Sequence, residues 1–388
     1  MKLLHTADLH VGKMLGRQSR IQESEAVLAE IIAIAEREDI DVVLIAGDVF
    51  EHKVPSPEAE AVLYRALVAL ESRGIHVVIV TGNHDAPDRW DALRPLLGAF
   101  RIHCASDIRR PDDGGILEIP VARTGETLQV AVLPWVSPRR CTSAMDVLGI
   151  SASSTVATYA DGLKALMHAL CAPLSGDACT IFAGHLMISG ARPGTGERTL
   201  TLGQVYGIDA VSLPQVQYAA LGHIHRPQTI EYSGVPARYA GSPMQMDFGE
   251  LGYDTSVTIV ELKPARPARF REVPLTTMRR LLDVSGTLDE LAAQAGAVGD
   301  AWLRVTLRCE RPQPGMAEQV REILPGTIEV RLDYPREDRT EAARARVRTL
   351  SPRQQFERFL TEHYGTEPDT TDLNLFDELL DAAQGGAG

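Results

Sequence analysis

Five short motifs in this chain place Asp, Asn and His side chains directly after apolar runs. They are Asp8-Leu9-His10, Gly47-Asp48, Gly82-Asn83-His84-Asp85, Gly184-His185 and Gly222-His223-Ile224-His225. In open α/β sheets ligands collect at the carboxyl ends of the strands, so we expect these side chains to converge on one site. A single motif of this kind is more often a turn, and it is the set of five that predicts a shared site.

The donors in these motifs are carboxylates, imidazoles and one amide, without a thiolate. Oxygen and nitrogen donors of this kind suit divalent cations such as Mn²⁺, Fe²⁺ or Zn²⁺. The set offers more ligands than one tetrahedral ion needs, so we interpret it as a site for two ions about 4 Å apart that share a carboxylate. Such a pair activates a water for attack on phosphorus and neutralises charge on the phosphate oxygens. The motifs therefore predict metal-dependent phosphoester hydrolysis.

The N-terminal third alternates short apolar runs with helical stretches, which is typical of a layered α/β fold. Residues 42–46 and 76–80 have the length and composition of buried strands. Between them Ser56 offers an N-cap and Pro57 a first helical residue, which predicts that a helix begins there. Further strands are predicted at 129–135, 180–183, 218–221 and 255–262.

The pattern changes at Lys263–Pro274, a Pro- and Arg-rich passage that predicts a domain boundary. A small α/β domain is expected beyond it, with helices at 288–295 and 316–324 and strands at 302–307 and 327–332. An Arg-rich stretch of low hydrophobicity follows and predicts a linker or an exposed helix. The predicted divisions are a phosphoesterase domain at 1–262, a small domain at 263–335, a linker at 336–350 and a helical tail at 351–384.

The composition, 44% hydrophobic and 23% charged over 388 residues, is that of a globular chain with two or three domains. Its net charge of −13 argues against binding nucleic acid through bulk charge. A local basic run nevertheless stands out, because Lys263–Arg280 holds six basic residues and one acidic residue. No apolar run reaches the roughly 18 residues of a membrane span, and the N-terminus lacks a secretory signal. We therefore expect a cytoplasmic protein that does not enter a membrane.

The order of the motifs, DxH, GD, GNHD, GH and GHxH, resembles that of the calcineurin-like metallophosphoesterases. Two longer stretches, Leu221–Gln228 and Tyr239–Pro243, are similar to one branch of that family, the bacterial SbcD nucleases. The resemblance covers roughly the first 260 residues well, the small domain loosely, and the tail mainly by position. It implies an α/β fold: a layered phosphoesterase sandwich with a small α/β capping domain and a C-terminal helical tail.

The resemblance also implies a role for each motif. One metal ion would take Asp8, His10, Asp48 and His225, and the other would take Asp48, Asn83, His185 and His223. Asp48 would bridge the two divalent ions, for which Mn²⁺ is favoured. His84 would stabilise the transition state or protonate the leaving oxygen without binding metal. Some family members have an assisting histidine just past the second motif; Glu51 occupies that position here and His52 follows it, so an assisting role for either stays open.

As a family member the chain would bind DNA and work with an SMC-like ABC-type ATPase, SbcC, as a homodimer within a heterotetramer. The implied activities are an ATP-dependent 3′→5′ exonuclease on duplex DNA and an endonuclease on hairpins or single strands. The family places a DNA-contacting domain at the basic run, where the candidate contacts are Lys263, Arg269, Arg271 and Arg279; a solvated face is the alternative. Arg192 and Arg198 follow His185 in a Gly-rich loop and are further candidates, unless that loop is an ordinary surface loop.

Two apolar stripes mark the tail. One consists of Phe356, Phe359, Leu360 and Tyr364, and the other of Leu373, Phe376, Leu379 and Leu380. Helices this short are marginal alone, so the stripes either dock on the same chain or bind a partner. The resemblance favours a partner, because family helices at this position clasp the coiled-coil base of SbcC. The predicted contacts are Phe356, Phe359, Leu360, Phe376 and Leu379.

Two other functions stay open at this point. A phosphatase or cyclic-nucleotide phosphodiesterase would share the fold, but Gly47–Glu51 lacks the GDxxDRG of protein phosphatases and the GDxxY of purple acid phosphatases. A small-substrate enzyme would also leave the C-terminal third unexplained. A non-catalytic DNA-end-binding subunit with a vestigial site is the other alternative, and the completeness of the ligand set argues against it.

Overall fold

A computed structural model of the chain describes residues 1–150, 158–194, 207–335, 351–364 and 369–385. The chain forms two compact units. The first comprises Met1–Leu307 and Pro314–Arg331, and the second comprises Arg308–Gln313 and Leu332–Gly388. Arg198 and the predicted linker at 336–350 lie outside the described residues.

The strands are β1 (Lys2–Thr6), β2 (Met14–Leu15), β3 (Gln18–Ser19), β4 (Val42–Ala46), β5 (His76–Val80), β6 (Ile102–Ala105), β7 (Ile116–Val121), β8 (Glu126–Leu133), β9 (Cys179–His185), β10 (Tyr218–Gly222), β11 (Gln228–Thr229), β12 (Ala237–Tyr239), β13 (Ser256–Glu261), β14 (Arg269–Pro274), β15 (Leu281–Gly286), β16 (Trp302–Arg308) and β17 (Thr327–Asp333). The helices are α1 (Ile21–Arg37), α2 (Pro57–Glu71), α3 (Pro87–Leu97), α4 (Cys141–Val147), α5 (Tyr159–Cys171), α6 (Leu288–Val298), α7 (Met316–Ile323), α8 (Pro352–Tyr364) and α9 (Thr370–Gly385). Short 3₁₀ turns lie at Pro111–Asp113, Pro138–Arg140 and Ala210–Ser212.

Two six-stranded sheets form the body of the first unit. One has the order β14-β13-β1-β4-β5-β6 and the other has the order β11-β12-β10-β9-β8-β7. The strands β1, β4, β5 and β6 are parallel to one another, as are β8, β9, β10 and β12. Parallel strands end at the same edge, so each sheet presents a row of strand ends from which loops can meet.

Apolar side chains form a core between the two sheets and a further core on the outer face of each. Between the sheets, Leu44 and Val78 of the first lie in one cluster with Val130 and Ile181 of the second. Helices α1, α2 and α3 cover the outer face of the first sheet, and α4 and α5 cover that of the second. The layered α/β sandwich predicted from the sequence is thus confirmed.

Helix α2 begins where its sequence predicts. The side-chain oxygen of Ser56 accepts the backbone N–H of Ala59 at 3.2 Å, and Pro57 occupies the first turn. Proline costs little there, because its missing N–H would have had no helical partner. The flanking apolar runs are β4 and β5, whose side chains are almost fully buried because helices cover one face of the sheet and the second sheet covers the other.

Beyond the sandwich, β15, β16 and β17 form a three-stranded sheet that carries α6 and α7. Thr287 and Glu290 cap α6 reciprocally. Residues 269–274 nevertheless belong to the first sheet, as its edge strand β14. The sheet extends past the boundary predicted at residue 263 because Phe270 and Val273 add to the cores on its two faces. The alternating charges that mark this passage are typical of an edge strand.

In the second unit, α8 and α9 pack as a helical hairpin. The rings of Phe356 and Phe376 stack with their centroids 4.3 Å apart, and Arg353 forms an ion pair with Asp377. Phe359 and Leu379 are 48% and 62% exposed, so part of the apolar surface faces outward. Across the described ranges, no helix combines the length and apolar character needed to cross a membrane.

Candidate metal centre

The sequence motifs meet at one edge of the sandwich. Backbone hydrogen bonds join the loops after β1 and β4, from Asp8 N–H to the Gly47 carbonyl at 2.9 Å and from His10 N–H to the Asp48 carbonyl at 3.0 Å. The second sheet supplies three histidines, His185, His223 and His225. The backbone N–H of His223 reaches across to donate to both carboxylate oxygens of Asp8, at 3.0 and 3.2 Å. Two residues 215 positions apart in the chain, Asp8 and His223, therefore share one site.

The backbone at this edge is bent tightly. Asp8, His10 and Asp48 have φ angles of 52°, 44° and 48°, in the left-handed region that side-chain-bearing residues rarely adopt. Such conformations cost of order 1–3 kcal/mol each and persist only where the surrounding structure enforces them. At Gly82 the constraint is space, because a Cβ atom there would overlap Oδ1 of Asp48. The packing thus imposes the direction in which these side chains point.

A first cluster brings together Asp8, His10 and His225, whose ligand atoms lie within 4.8 Å of one another. Nε2 of His10 is 3.1 Å from Nε2 of His225 and 3.7 Å from Oδ2 of Asp48. All four side chains are buried. These are the residues that the sequence assigns to one metal ion.

A second cluster consists of Asp48, His185 and His223. Nε2 of His185 lies 3.4 Å from Oδ2 of Asp48 and 3.1 Å from Oδ1 of Asn83. Nδ1 of His223 is also 3.1 Å from that amide oxygen. The same oxygen of Asp48 therefore faces a histidine of each cluster, which is the position that a bridging ligand requires.

Several of these atoms are acceptors that face other acceptors. Nδ1 of His185 lies 2.9 Å from the Ala46 carbonyl and donates its proton to it, which leaves a lone pair on Nε2 directed at the oxygens of Asn83 and Asp48. Only a proton or a cation between such atoms makes their burial favourable. In the described part of the chain, the one Lys or Arg ion pair to a carboxylate of this centre joins Lys13 to Glu51. The donor set therefore fits divalent metal ions.

Two carboxylates stand behind the histidines of the first cluster. Oε1 of Glu250 lies 2.6 Å from Nδ1 of His225, and its Oε2 accepts the backbone N–H of Met246 at 2.6 Å. Oε2 of Glu51 lies 2.8 Å from Nδ1 of His10, within ion-pair distance although not at hydrogen-bond angles. No sequence signal points to Glu250, which lies in an irregular loop without a motif. Carboxylates in this position orient a metal-binding imidazole.

His84 lies at the half-buried side of the centre. Its backbone N–H donates to Oδ1 of Asp48 at 2.8 Å, and its Nδ1 lies 2.8 Å from the Glu51 carbonyl. That contact assigns the proton to Nδ1 and leaves Nε2 available for chemistry. Asp85 instead accepts the backbone N–H of Gly82 at 2.8 Å and two further N–H groups in the loop after β4. It supports the loop from behind.

Burial and proximity shift the pKa values of the centre. Burial raises the pKa of Asp8 to about 7, against the opposing effect of nearby histidines. Burial also acts to raise the pKa of Asp48, but His185 and its neighbours outweigh it and hold that pKa well below its usual range. Burial lowers the pKa of His10 to about 4 and that of His223 to about 3. At neutral pH Asp48 is therefore ionised and His10 and His223 are neutral, the forms that bind metal. Burial acts to lower the pKa of His185 as well, but Asp48 and Asp8 outweigh it and raise that pKa to about 9, so metal binding to His185 would release a proton.

Arg192 is exposed on the loop that follows β9. Gln228 fixes its backbone, since the Arg192 N–H donates to Oε1 of Gln228 at 2.8 Å and Nε2 of Gln228 donates to the Arg192 carbonyl at 2.9 Å. A groove of about 770 Å³ runs beside it, and Arg226 and the exposed Tyr232 also line this groove. Arg226 directly follows His225, so one lining residue of the groove is joined to a candidate ligand.

Two of the four candidates in the basic run, Lys263 and Arg269, lie at the opposite edge of the first sheet. Through β13, Arg269 is in register with Lys2 at the start of β1, about 20 Å along the strand direction from Asp8. Lys263 follows β13 at the same edge. The other two candidates are engaged within the fold, Arg271 with Glu38 and Arg279 over the ring of Trp302. Lys263 and Arg269 therefore lie away from the candidate centre, and Arg271 and Arg279 have partners elsewhere in the fold.

Comparison with protein families agrees with this centre. Residues 1–227, more than half of the chain, match the calcineurin-like phosphoesterase family, and residues 274–364 match the type 5 capsule protein repressor C-terminal domain. The first match contains all seven candidate ligands and His84. Fold and site together define a calcineurin-like phosphoesterase.

Individual relatives narrow the assignment. The chain is 34% identical to the SbcD subunit of the SbcCD nuclease of Bacillus subtilis (strain 168), with 99% of each chain covered. It is 31% identical to the SbcD subunit of Rhodobacter capsulatus, covering 80% of this chain and 81% of that one, and 28% identical to that of Escherichia coli (strain K12), covering 76% and 73%. The chain therefore belongs to the family of SbcD subunits of the SbcCD nuclease.

Proposed function

We propose that this chain is a two-metal DNA nuclease subunit that hydrolyses phosphodiester bonds with Mn²⁺. The observation that carries the proposal is that Oδ2 of Asp48 faces both histidine clusters, at 3.7 Å from His10 and 3.4 Å from His185. Relatives named as nuclease subunits supply the substrate class. The proposed activities are 3′→5′ exonuclease action on duplex DNA and endonuclease action on hairpins or single strands.

The ligands would divide as the clusters do. One ion would be held by Asp8, His10, Asp48 and His225, and the other by Asp48, Asn83, His185 and His223. Bound there, the ions would lower the pKa of an attacking water and neutralise charge on the phosphate. Mn²⁺ is proposed because it accepts this mixture of carboxylate, amide and imidazole donors.

His84 is proposed to protonate the leaving oxygen from Nε2, in the cationic form of the ring in which both nitrogens carry a proton. Its Nδ1–H donates to the Glu51 carbonyl, and its backbone holds Asp48, so the ring is fixed while Nε2 remains free of both contacts. Beside the second cluster, the ring of Trp135 lies 5.2 Å from that of His223 and covers one side of the site. A positioned acid at a partly covered site contributes typically about 10²–10⁴-fold to a rate.

DNA would approach from the edge where the clusters open. Phosphate contacts are proposed at Arg192 and at Arg139, which is exposed on the 3₁₀ turn that follows Trp135. A contribution from Lys263, Arg269, Arg271 and Arg279 remains a prediction, and for Lys263 and Arg269 it requires DNA that extends to the opposite edge of the sheet.

The helical hairpin is proposed as the binding site for an ATPase partner of the SbcC type. Phe359 and Leu379 offer exposed apolar surface, and the stacked Phe356 and Phe376 hold α8 against α9. Leu360 adds to the stripe of α8. A homodimer of the chain within a heterotetramer, acting on DNA in the cytoplasm at the nucleoid, completes the proposal.

A substrate comparison tests this function. The purified full chain is incubated with Mn²⁺ and either linear duplex DNA or a nucleotide monoester, with Asp48→Asn as the inactive control. We expect DNA degradation that EDTA abolishes and that Asp48→Asn lacks. Hydrolysis of the monoester alone would favour a phosphatase, and DNA binding without cleavage by the wild-type protein would favour a non-catalytic end-binding subunit.

A further inference from the structure

The two metal positions differ in what lies behind their histidines. In the first cluster a carboxylate faces each Nδ1, Glu51 at 2.8 Å from His10 and Glu250 at 2.6 Å from His225. In the second cluster Nδ1 of His185 donates to a neutral backbone carbonyl at 2.9 Å. An anionic group therefore lies behind His10 and behind His225, whereas a neutral group lies behind His185.

We infer that Glu250, assisted by Glu51, makes the Asp8–His10–His225 position the tighter of the two metal sites. A carboxylate that accepts the Nδ1–H fixes the tautomer with a lone pair on Nε2 and raises the basicity of the imidazole. It also adds negative charge close to the ion, which a backbone carbonyl does not. The inference rests on the proposed two-metal site and assigns Glu250 as a positioning residue that acts through His225.

Glu250 is held in place before any ion binds. It is fully buried, and its second carboxylate oxygen accepts the backbone N–H of Met246. Nε2 of Gln245 donates to the Glu250 carbonyl at 3.3 Å, and the carbonyl of Gln245 accepts from the fully buried Arg20. Arg20 is itself fixed by two hydrogen bonds to Glu23, at 2.7 and 3.1 Å. The carboxylate therefore needs no rearrangement to support its histidine.

Glu250 is expected to contribute more than Glu51. Nζ of Lys13 lies 3.0 Å from Oε1 of Glu51 and offsets part of its charge. Within the described ranges, Glu250 has no ion pair with a lysine or arginine, and its carboxylate is paired with His225. Its charge is thus not offset by a lysine, as that of Glu51 is.

Mn²⁺ binding to the full-length chain tests the inference, because it is read from the EPR signal of free Mn²⁺ and does not depend on nuclease activity. We expect two binding steps of different affinity. Glu250→Gln should weaken the tighter step by about 10- to 100-fold and leave the weaker one unchanged. His223→Ala should abolish the weaker step and spare the tighter one. Asp247→Asn is the matched control and should change neither step, because Asp247 lies in the same loop and its carboxylate accepts the Gly249 N–H.

Two equal steps in the wild-type chain, or a Glu250→Gln protein with an unchanged tighter step, would overturn the inference. If Glu250→Gln fails to fold, as judged by circular dichroism, Glu51→Gln provides the second test. It should weaken the same step by a smaller factor, and an unchanged step would contradict the inference. These outcomes are independent of whether the wild-type chain cleaves DNA, so failure of the proposed function would be seen separately.

Discussion

The backbone N–H of His84 donates a 2.8 Å hydrogen bond to Oδ1 of Asp48, the carboxylate whose other oxygen faces both histidine clusters. The contact uses the main chain and survives replacement of the His84 side chain. Replacement should therefore affect chemistry far more than metal binding.

We predict that His84→Gln lowers kcat by about 10²–10⁴-fold, the usual cost of losing a positioned acid. Manganese content, measured by elemental analysis, should stay near that of the wild type. Loss of bound metal together with activity would show that His84 is a ligand, and an unchanged kcat at saturating Mn²⁺ would remove it from the mechanism.

Gly82→Ala should disrupt the centre although it replaces none of the proposed metal ligands. The new Cβ would overlap Oδ1 of Asp48, so the loop or the carboxylate must move. Overpacking of this kind costs typically about 1–3 kcal/mol, and we expect a lower free energy of unfolding together with weaker Mn²⁺ binding. Gly176→Ala is the matched control, because its Cβ would meet no neighbour within 4 Å. Equal metal affinity of both variants would contradict this view of the turn.

The sequence predicts the residues of this centre that lie at strand ends, and it does not predict those that reach the centre from an irregular loop. Asp8, Asp48 and His185 follow apolar strands directly, so the rule that parallel strand ends meet predicts their convergence. Glu250 comes from an irregular loop, and only the packing of Gln245 on Arg20 shows why its carboxylate reaches His225. Long-range packing of this kind has no local signal.

The strands of the fold likewise include some that the sequence predicts and some that it does not. The run at 42–46 is a strand as predicted, because its apolar composition alone requires burial on both faces. The segment at 269–274 is also a strand, although the prolines and arginines of Lys263–Pro274 predict a boundary. Edge strands carry charge and need few apolar residues, so their pattern resembles a linker until the neighbouring strand is known.

The candidate DNA contacts lie at two different edges of the molecule, so substitutions at each edge should affect DNA binding differently. Arg139→Glu combined with Arg192→Glu alters the edge that carries the clusters, whereas Arg269→Glu alters the opposite edge. Each lost phosphate contact lowers the salt slope of duplex binding by about one unit. On short duplexes we expect the double variant to bind more weakly with a flatter salt dependence.

Arg269→Glu should leave short-duplex binding unchanged and weaken only long duplexes that reach the far edge. Titrations at several salt concentrations with both DNA lengths measure this. The reverse pattern, a loss on short DNA only for Arg269→Glu, would place the DNA path across the basic run.

Changes in the helical hairpin should affect assembly with the ATPase partner and leave catalysis intact. Truncation after Arg348 removes α8 and α9 and is expected to abolish co-purification with an SbcC-type ATPase while basal Mn²⁺-dependent cleavage persists. Phe359→Glu with Leu379→Glu should have the same effect, because both side chains are exposed and neither belongs to the Phe356–Phe376 stack. Stoichiometric co-purification of the truncated chain would overturn the assignment, and loss of solubility with all activity would indicate that the tail stabilises its own chain.

The number of Mn²⁺ ions bound per chain tests the central claim most directly. Equilibrium dialysis at saturating Mn²⁺, followed by elemental analysis, should give two ions for the wild-type chain. It should give none held tightly by Asp48→Ala, since that carboxylate faces both clusters. A single ion in the wild type, or two tightly bound ions in Asp48→Ala, would contradict a shared two-metal centre.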